Sequence, residues 1–339
     1  MRPFPLMLLA LVTLLAGSAI ADLKTETFTR ASILTGMGST EISAVTQYQG
    51  EKRVENNTTK MVGGIGGMFA GKPQTQVTIT RLDKDLVWDL NPPKKTYTER
   101  PIALPAGTEA KAEKARSGPD QSKPYKVVKS ELKVNKTGAK KDINGFPCVE
   151  YLVTWELVLE DTASKGKVTQ VMTTDLWNTP LTDKLKQAQG IETEFNRSYV
   201  KKLGVEVSPQ ETDRLGAGML TSMYGLDPKE TAGKLEQVGK ELAKVEGYSI
   251  VTEVKWQVKD DSAAAKKSEP EPEPEPQPAP RSLSGLIARE LAQKSASSKP
   301  KEENVIFSSY FEVKAVSLDA IPETAFEIPD GYKKVEEKK

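Results

Sequence analysis

A run of glycines ending in lysine is the first feature of this chain that could do chemistry. Gly66-Gly67-Met68-Phe69-Ala70-Gly71-Lys72 fits G-x-x-x-x-G-K, which is a phosphate-binding loop short of its last position. That position should be Ser or Thr to hold magnesium, and here it is Pro73. No strong apolar strand precedes the run and no helix pattern follows it, so it reads as a glycine turn between strands. Nucleotide binding is rejected on that ground. Asp83, Asp85 and Asp89 resemble a carboxylate metal cluster, but the glycine and distal glutamate of a calcium loop are missing. Asp83-Lys84-Asp85 reads as a turn. Cys148 has no basic residue within three positions to stabilise a thiolate, so it reads as a small buried hydrophobe. Paired carboxylates for glycoside hydrolysis need only spatial proximity. With 47 Asp and Glu in the chain, accidental pairs are many and the pattern has little specificity.

Composition removes other chemistry. There is no histidine, which excludes imidazole acid/base catalysis, histidine-activated nucleophiles and zinc sites that need imidazole. A single cysteine excludes an intramolecular disulfide and any Cys-x-x-Cys pair. Lys plus Arg number 48 against 47 acids, so the clustered positive excess of a nucleic-acid groove is missing. Trp88, Trp155, Trp177 and Trp256 all fall in predicted strands and read as core, although an aromatic-lined sheet face would serve a ligand too. The sequon Asn56-Asn57-Thr58 matters only in a eukaryotic secretory pathway. The expectation is no catalytic, cofactor-binding or metal-ligating residue, and no cofactor.

The elements that would position these residues are mostly strands. In Val149, Tyr151, Val153, Trp155, Leu157 and Leu159 a period of two alternates with a mixed face. Val77 and Ile79 alternate likewise, and Leu86-Val87-Trp88 is a short apolar run. Short turns without intervening helices imply antiparallel pairing. Loops are expected at Met61 to Lys72 and at Pro105 to Pro124. A helical block is expected over about Pro180 to Val245, with starts at Ser208-Pro209-Gln210-Glu211 and Asp227-Pro228-Lys229-Glu230 and a stop at Gly247. Strand patterns return with Ile250, Thr252, Val254, Trp256 and Val258, and again with Phe307, Ser309, Phe311 and Val313. Between them, 260–303 carries Glu-Pro repeats, a Ser/Lys-rich stretch and a short amphipathic helix, Leu283 to Leu291. This segment reads as a disordered insertion within one domain, because about 35 residues after it cannot build a core alone.

The first 21 residues read as an export signal: Arg2, an apolar run from Leu6 to Leu15, then Ala19-Ile20-Ala21. The run is about half of the roughly 20 residues a bilayer-spanning helix needs. Leu15-Ala16-Gly17-Ser18 nearly matches a lipid-attachment box, but serine cannot form the thioether. The expected location is periplasmic or secreted, not integral to a membrane.

Several motifs resemble a bacterial envelope family, domain of unknown function 4412. They are Asn144-Gly145 with Cys148 and Tyr151, Asp175-Leu176-Trp177, Thr46-Gln47-Tyr48-Gln49-Gly50, Lys94-Lys95-Thr96-Tyr97 and Phe326-Glu327-Ile328-Pro329-Asp330-Gly331-Tyr332. The family is similar to the envelope lipoprotein-carrier fold, which implies a curved sheet around an apolar cavity and brings no catalytic residues. The expectation is therefore one α+β domain, 22–259 plus 304–339, with a large curved antiparallel, half-barrel-like sheet packed on a helical block. Its expected role is non-enzymatic binding of an apolar ligand such as a lipid, or of an envelope partner. A carboxylate-dependent hydrolase and a purely structural envelope protein are the alternatives. N-terminal sequencing of the exported protein is expected to begin at Asp22; a membrane-bound product that keeps Met1 contradicts the export reading.

Overall fold

The computed structural model describes residues 22–33, 38–64, 67, 71–103, 125–161, 163–204, 240–260 and 305–336. Twelve strands form one sheet: β1 Leu23–Ile33, β2 Ser39–Gln49, β3 Lys52–Val62, β4 Gln74–Arg81, β5 Leu86–Asn91, β6 Thr96–Pro101, β7 Tyr125–Ile143, β8 Phe146–Asp161, β9 Lys167–Thr179, β10 Tyr248–Asp260, β11 Val305–Ser317 and β12 Lys333–Lys334. Their order is β12-β6-β5-β4-β3-β2-β1-β11-β10-β9-β8-β7. Two meanders, β1–β6 and β7–β11, thus join through the pairing of β1 with β11, from Lys24 opposite Ser317 to Ile33 opposite Phe307.

Local sequence explains the hairpins. Asn144 and Gly145 take φ of 55° and 81°, the left-handed pair that a two-residue turn needs to match strand twist. Between β4 and β5 the left-handed residue is Asp85, whose N–H returns to the Leu82 carbonyl. Gly247 enters β10 at φ 91°, where a Cβ would lie 2.4 Å from the Thr179 carbonyl oxygen. No larger residue fits there.

The one long helix among the described residues, α1 (Asp183–Lys202), follows β9 after a three-residue link, with the Thr182 hydroxyl accepting from the Leu185 N–H. Its far end reaches the β4–β5 turn, where Lys202 Nζ lies 2.5 Å from Asp85 Oδ1. Twenty residues of helix are about 30 Å long, close to six strand steps of roughly 4.8 Å. The helix therefore runs across the strands. It lies at the end of the sheet where β1 and β10 begin and β2 and β9 finish. Leu185, Ala188 and Phe195 bury there against Leu23, Tyr48, Leu82, Val87, Ile250 and Val316.

The other side of the β3–β6 half is covered by the segment after β11. Ile321 and Phe326 pack on Val54, Ile79, Trp88 and Leu90. Arg81, nearly fully buried, ties this segment down through Glu327 and the Phe326 carbonyl while pairing with Asp83 at 2.7 Å. β12 then pairs in parallel with β6.

The structure corrects the expected α+β class. Of the described residues 62% are strand and 17% helical, which makes this a mostly-β protein with one mixed twelve-stranded sheet. It is not an antiparallel sheet packed on a helical block. Strands were expected over most of Asp22 to Trp177, and β1–β9 fill that range; the correction lies in the helical share, since among the described residues the block expected over about Pro180 to Val245 contributes one long helix, Asp183–Lys202. Residues 205–239, including both Ser208 and Asp227 helix starts, lie outside the described residues, as do Pro105, Leu283 to Leu291 and the Glu-Pro repeats.

The strands flanking 261–303 are direct neighbours, with Gln257 opposite Val305. A short connection can therefore join them without moving either strand. Replacing Asp261 to Glu303 by a short Gly/Ser loop is expected to leave the melting temperature unchanged or slightly raised, since loop closure changes by only about 0.6 kcal/mol per doubling of length. A loss above about 2 kcal/mol in denaturant titration would mean that the segment docks on the domain.

Candidate functional site

The register divides the sheet into two faces, because successive side chains alternate sides. On the face that bears α1, Leu132, Trp155, Met172, Trp256 and Phe307 are consecutive cross-strand partners on β7, β8, β9, β10 and β11. The neighbouring row runs Tyr151, Leu176, Thr252, Phe311, Thr29 and Ile42. Between them lie Val153, Thr174, Val254, Ser309 and Ala31. The indole N–H of Trp155 donates to Ser130 Oγ at 3.0 Å, and that of Trp256 to Gln170 Oε1 at 3.2 Å. Both polar edges are thus satisfied within the protein, and each indole serves the face as apolar surface. These side chains are buried or half-buried, and none carries a charge.

Where α1 meets this face, one carboxyl breaks an apolar stripe. Leu185, Ala188, Glu192, Phe195 and Tyr199 recur at helical spacing on the buried side of α1. Burial pushes the Glu192 carboxyl above its ordinary value. Burial also raises Tyr248, to about 12, and raises Tyr48, with the Glu192 charge adding to both. Arg53 on β3 lies 5.2 Å from the Phe195 ring centroid and 5.9 Å from that of Tyr199. Tyr48 meets Phe195 edge-on at 5.4 Å.

Acids gather on the opposite face. Asp175 and Glu253 are direct cross-strand partners, and Glu253 in turn faces Tyr310. Burial raises the Asp175 carboxyl, with Glu150 and Glu253 adding to the shift, and its buried Oδ1 has no hydrogen-bond partner. The other acids are matched: Glu253 by Lys255 at 2.8 Å, and Glu312 by Lys314 at 2.7 Å and the Tyr310 hydroxyl at 2.9 Å.

The residues singled out in the sequence are dispersed by the fold. Asp83 pairs with Arg81, Asp85 with Lys202, and Asp89 with Arg100 and the Thr78 hydroxyl, so the three carboxylates serve separate partners. Among the described residues no group of three or more acids or thiols is placed to hold a metal ion. Cys148 is buried at 2% exposure, and burial pushes its thiol up, with Asp142 adding to the shift. Most of Gly66 to Lys72 lies outside the described residues; it connects β3 to its antiparallel neighbour β4. All four tryptophans lie on strands, as expected. Glu192 and Arg53 were not legible: one looks like a solvent-facing helix residue and the other like any charged strand residue. The i, i+3, i+4 stripe around Glu192 was the available signal. No family model matches the chain, and no curated protein is similar to it. Among the described residues no helix is long and apolar enough to cross a membrane.

The raised Glu192 carboxyl makes a signed prediction. The folded state holds this proton more tightly than the unfolded chain, so its contribution is full below the ordinary carboxylate range and is lost as pH rises through that range toward the raised value. Glu192→Gln removes the loss. The variant is expected to be more stable than the parent at pH 7, by on the order of 1 kcal/mol, with the gap closing below about pH 4. Urea titrations at the two pH values check it, and an equal gap at both would contradict the assignment.

Proposed function

We propose that the chain is an exported envelope protein that binds an apolar ligand without chemistry, on the α1-bearing face of its sheet. The observation that carries this reading is the unbroken cross-strand row Leu132, Trp155, Met172, Trp256 and Phe307. Ordinary cores need large apolar residues, but not five of them in one row with both indole N–H groups already satisfied at the protein side. Apolar chains gain about 0.8 kcal/mol per methylene buried, so such a row can hold an acyl chain by area alone. The export signal and the resemblance to the envelope family point the same way. An apolar segment of an envelope protein would occupy the same surface by the same physics.

A carboxylate hydrolase is the second reading, and Asp175 opposite Glu253 is what favours it. Two facing acids, one of them with its carboxyl raised by burial, are the raw material of acid/base catalysis. It ranks second because the acids around Asp175 are already engaged, Glu253 and Glu312 by lysines on their own strands and Glu150 by the Thr137 hydroxyl.

Lipid extraction and mass spectrometry of the exported, purified protein is expected to return a stoichiometric amphiphile. Tryptophan emission should be quenched by a spin-labelled fatty acid, and Trp155→Ala should weaken that binding about tenfold, the scale of one buried aromatic contact. Protein free of lipid and unquenched by the probe would overturn the reading.

A further inference from the structure

The sheet ends differently at its two edges. One edge is β12, a strand of two residues laid on β6, and the other is β7, which among the described residues pairs with β8 alone. A long open edge is a template for another strand, and lysines and bulges are the usual protection against it. β7 has both. Its register against β8 shifts between Val127 and Lys129 and again between Lys136 and Lys140. Between the two bulges, Lys129 to Lys136 oppose Val158 to Tyr151 without interruption. This regular run carries Leu132 and Val134, both half-buried, on the α1-bearing face, and Lys129, Glu131 and Lys133 on the other. Its charges are of both signs. Glu131 stands directly opposite Glu156 of β8, and Lys129 bridges the two at 2.9 and 2.7 Å. Lys133 meets Glu131 at 2.7 Å with its side chain 73% exposed, so a lysine and an acid stand side by side at the open edge.

We propose that two copies of the chain pair antiparallel through β7, about a two-fold axis at Leu132, and so form one continuous sheet. Opposed residues of an antiparallel pair share a face, so a self-pairing must centre on a residue. Only the centres at Leu132 and at Lys133 engage nearly the whole regular run. The centre at Lys133 sets that lysine against its own copy, which is repulsive. The centre at Leu132 sets Glu131 against Lys133 of the second copy, and by symmetry does so twice. It also sets Lys129 against Asn135 and Ser130 against Val134, while Leu132 meets itself. No like charges face each other in this register. On the α1-bearing face the row Phe307, Trp256, Met172, Trp155 and Leu132 continues directly into its own copy. Charge thus selects one register, where an edge built only to repel would favour none. The pairing stands independently of any ligand on that face.

Sedimentation equilibrium of the full exported chain is expected to show a dimer. Lys133→Glu and Glu131→Lys should each weaken it about tenfold, because like charges then face each other twice, and the two changes together should restore it. Far-ultraviolet circular dichroism is the folding control. Leu132→Cys gives a second, independent reading. In this register its Cα lies about 4.5–5.5 Å from that of its copy, within disulfide reach, so mild oxidation should yield a cross-linked dimer. Asn135→Cys, which faces Lys129, should stay uncross-linked. Cys148 is buried and takes no part. A monomeric parent overturns the proposal. So does a dimer that both single charge reversals leave intact, or one that oxidation of Leu132→Cys fails to lock.

Discussion

Everything in this structure depends on the pairing of β1 with β11. Each meander could in principle form from its own hairpins, but neither has a covered face without the other. Ten cross-strand pairs between Leu23–Ile33 and Val305–Ser317 close the sheet across nearly the whole chain. Contacts of such sequence separation are entropically expensive to form, and they set slow folding for sheets of this kind. The pairing also fixes the first residue of the described structure. Asp22 Oδ2 accepts from the Ile321 N–H at 2.6 Å and from Gln49 Nε2 at 3.1 Å, so the start of the sheet and the segment after its last long strand hold each other.

Once the sheet is closed, its two halves are finished differently. The β3–β6 half is covered on one side by the segment containing Ile321 and Phe326, while α1 covers the end of the other side. Arg81 shows how the first cover is secured. Its guanidinium is nearly buried, yet Asp83, Glu327 and the Phe326 carbonyl satisfy it, and these carboxylates hold its proton more firmly than usual. A buried cation with that set of partners is costly to break, because removing one partner leaves charge without solvent. The β7–β11 half instead presents rows of tryptophan, methionine and phenylalanine on the α1-bearing face. On its outer face Glu253 and Glu312 are matched by lysines, while Asp175 keeps a buried oxygen without a partner.

That division gives the functional reading its shape. The proposed binding reading rests on where the reactive types ended up. Asp83, Asp85 and Asp89 serve separate cations, the lone thiol is buried, and the indole N–H groups of Trp155 and Trp256 are satisfied by neighbouring side chains.

The sequence by itself determined the local terms. Alternation over Val149 to Leu159, over Ile250 to Val258 and over Phe307 to Val313 was legible because period two is a property of one strand. The Asp83-Lys84-Asp85 turn was legible because short polar residues separate two apolar runs, and the burial of Cys148 because it begins a strongly alternating strand with no cation nearby to hold a thiolate. Only the tertiary structure decided the class of the fold. Strands over Asp22 to Trp177 were expected from sequence, but that they close with β11 into one mixed twelve-stranded sheet was not. Only the tertiary structure put Glu192 beneath the helix and separated Asp83, Asp85 and Asp89. Those outcomes depend on which strand lies next to which, and hydrogen-bonded neighbours in a sheet can be any distance apart in the chain.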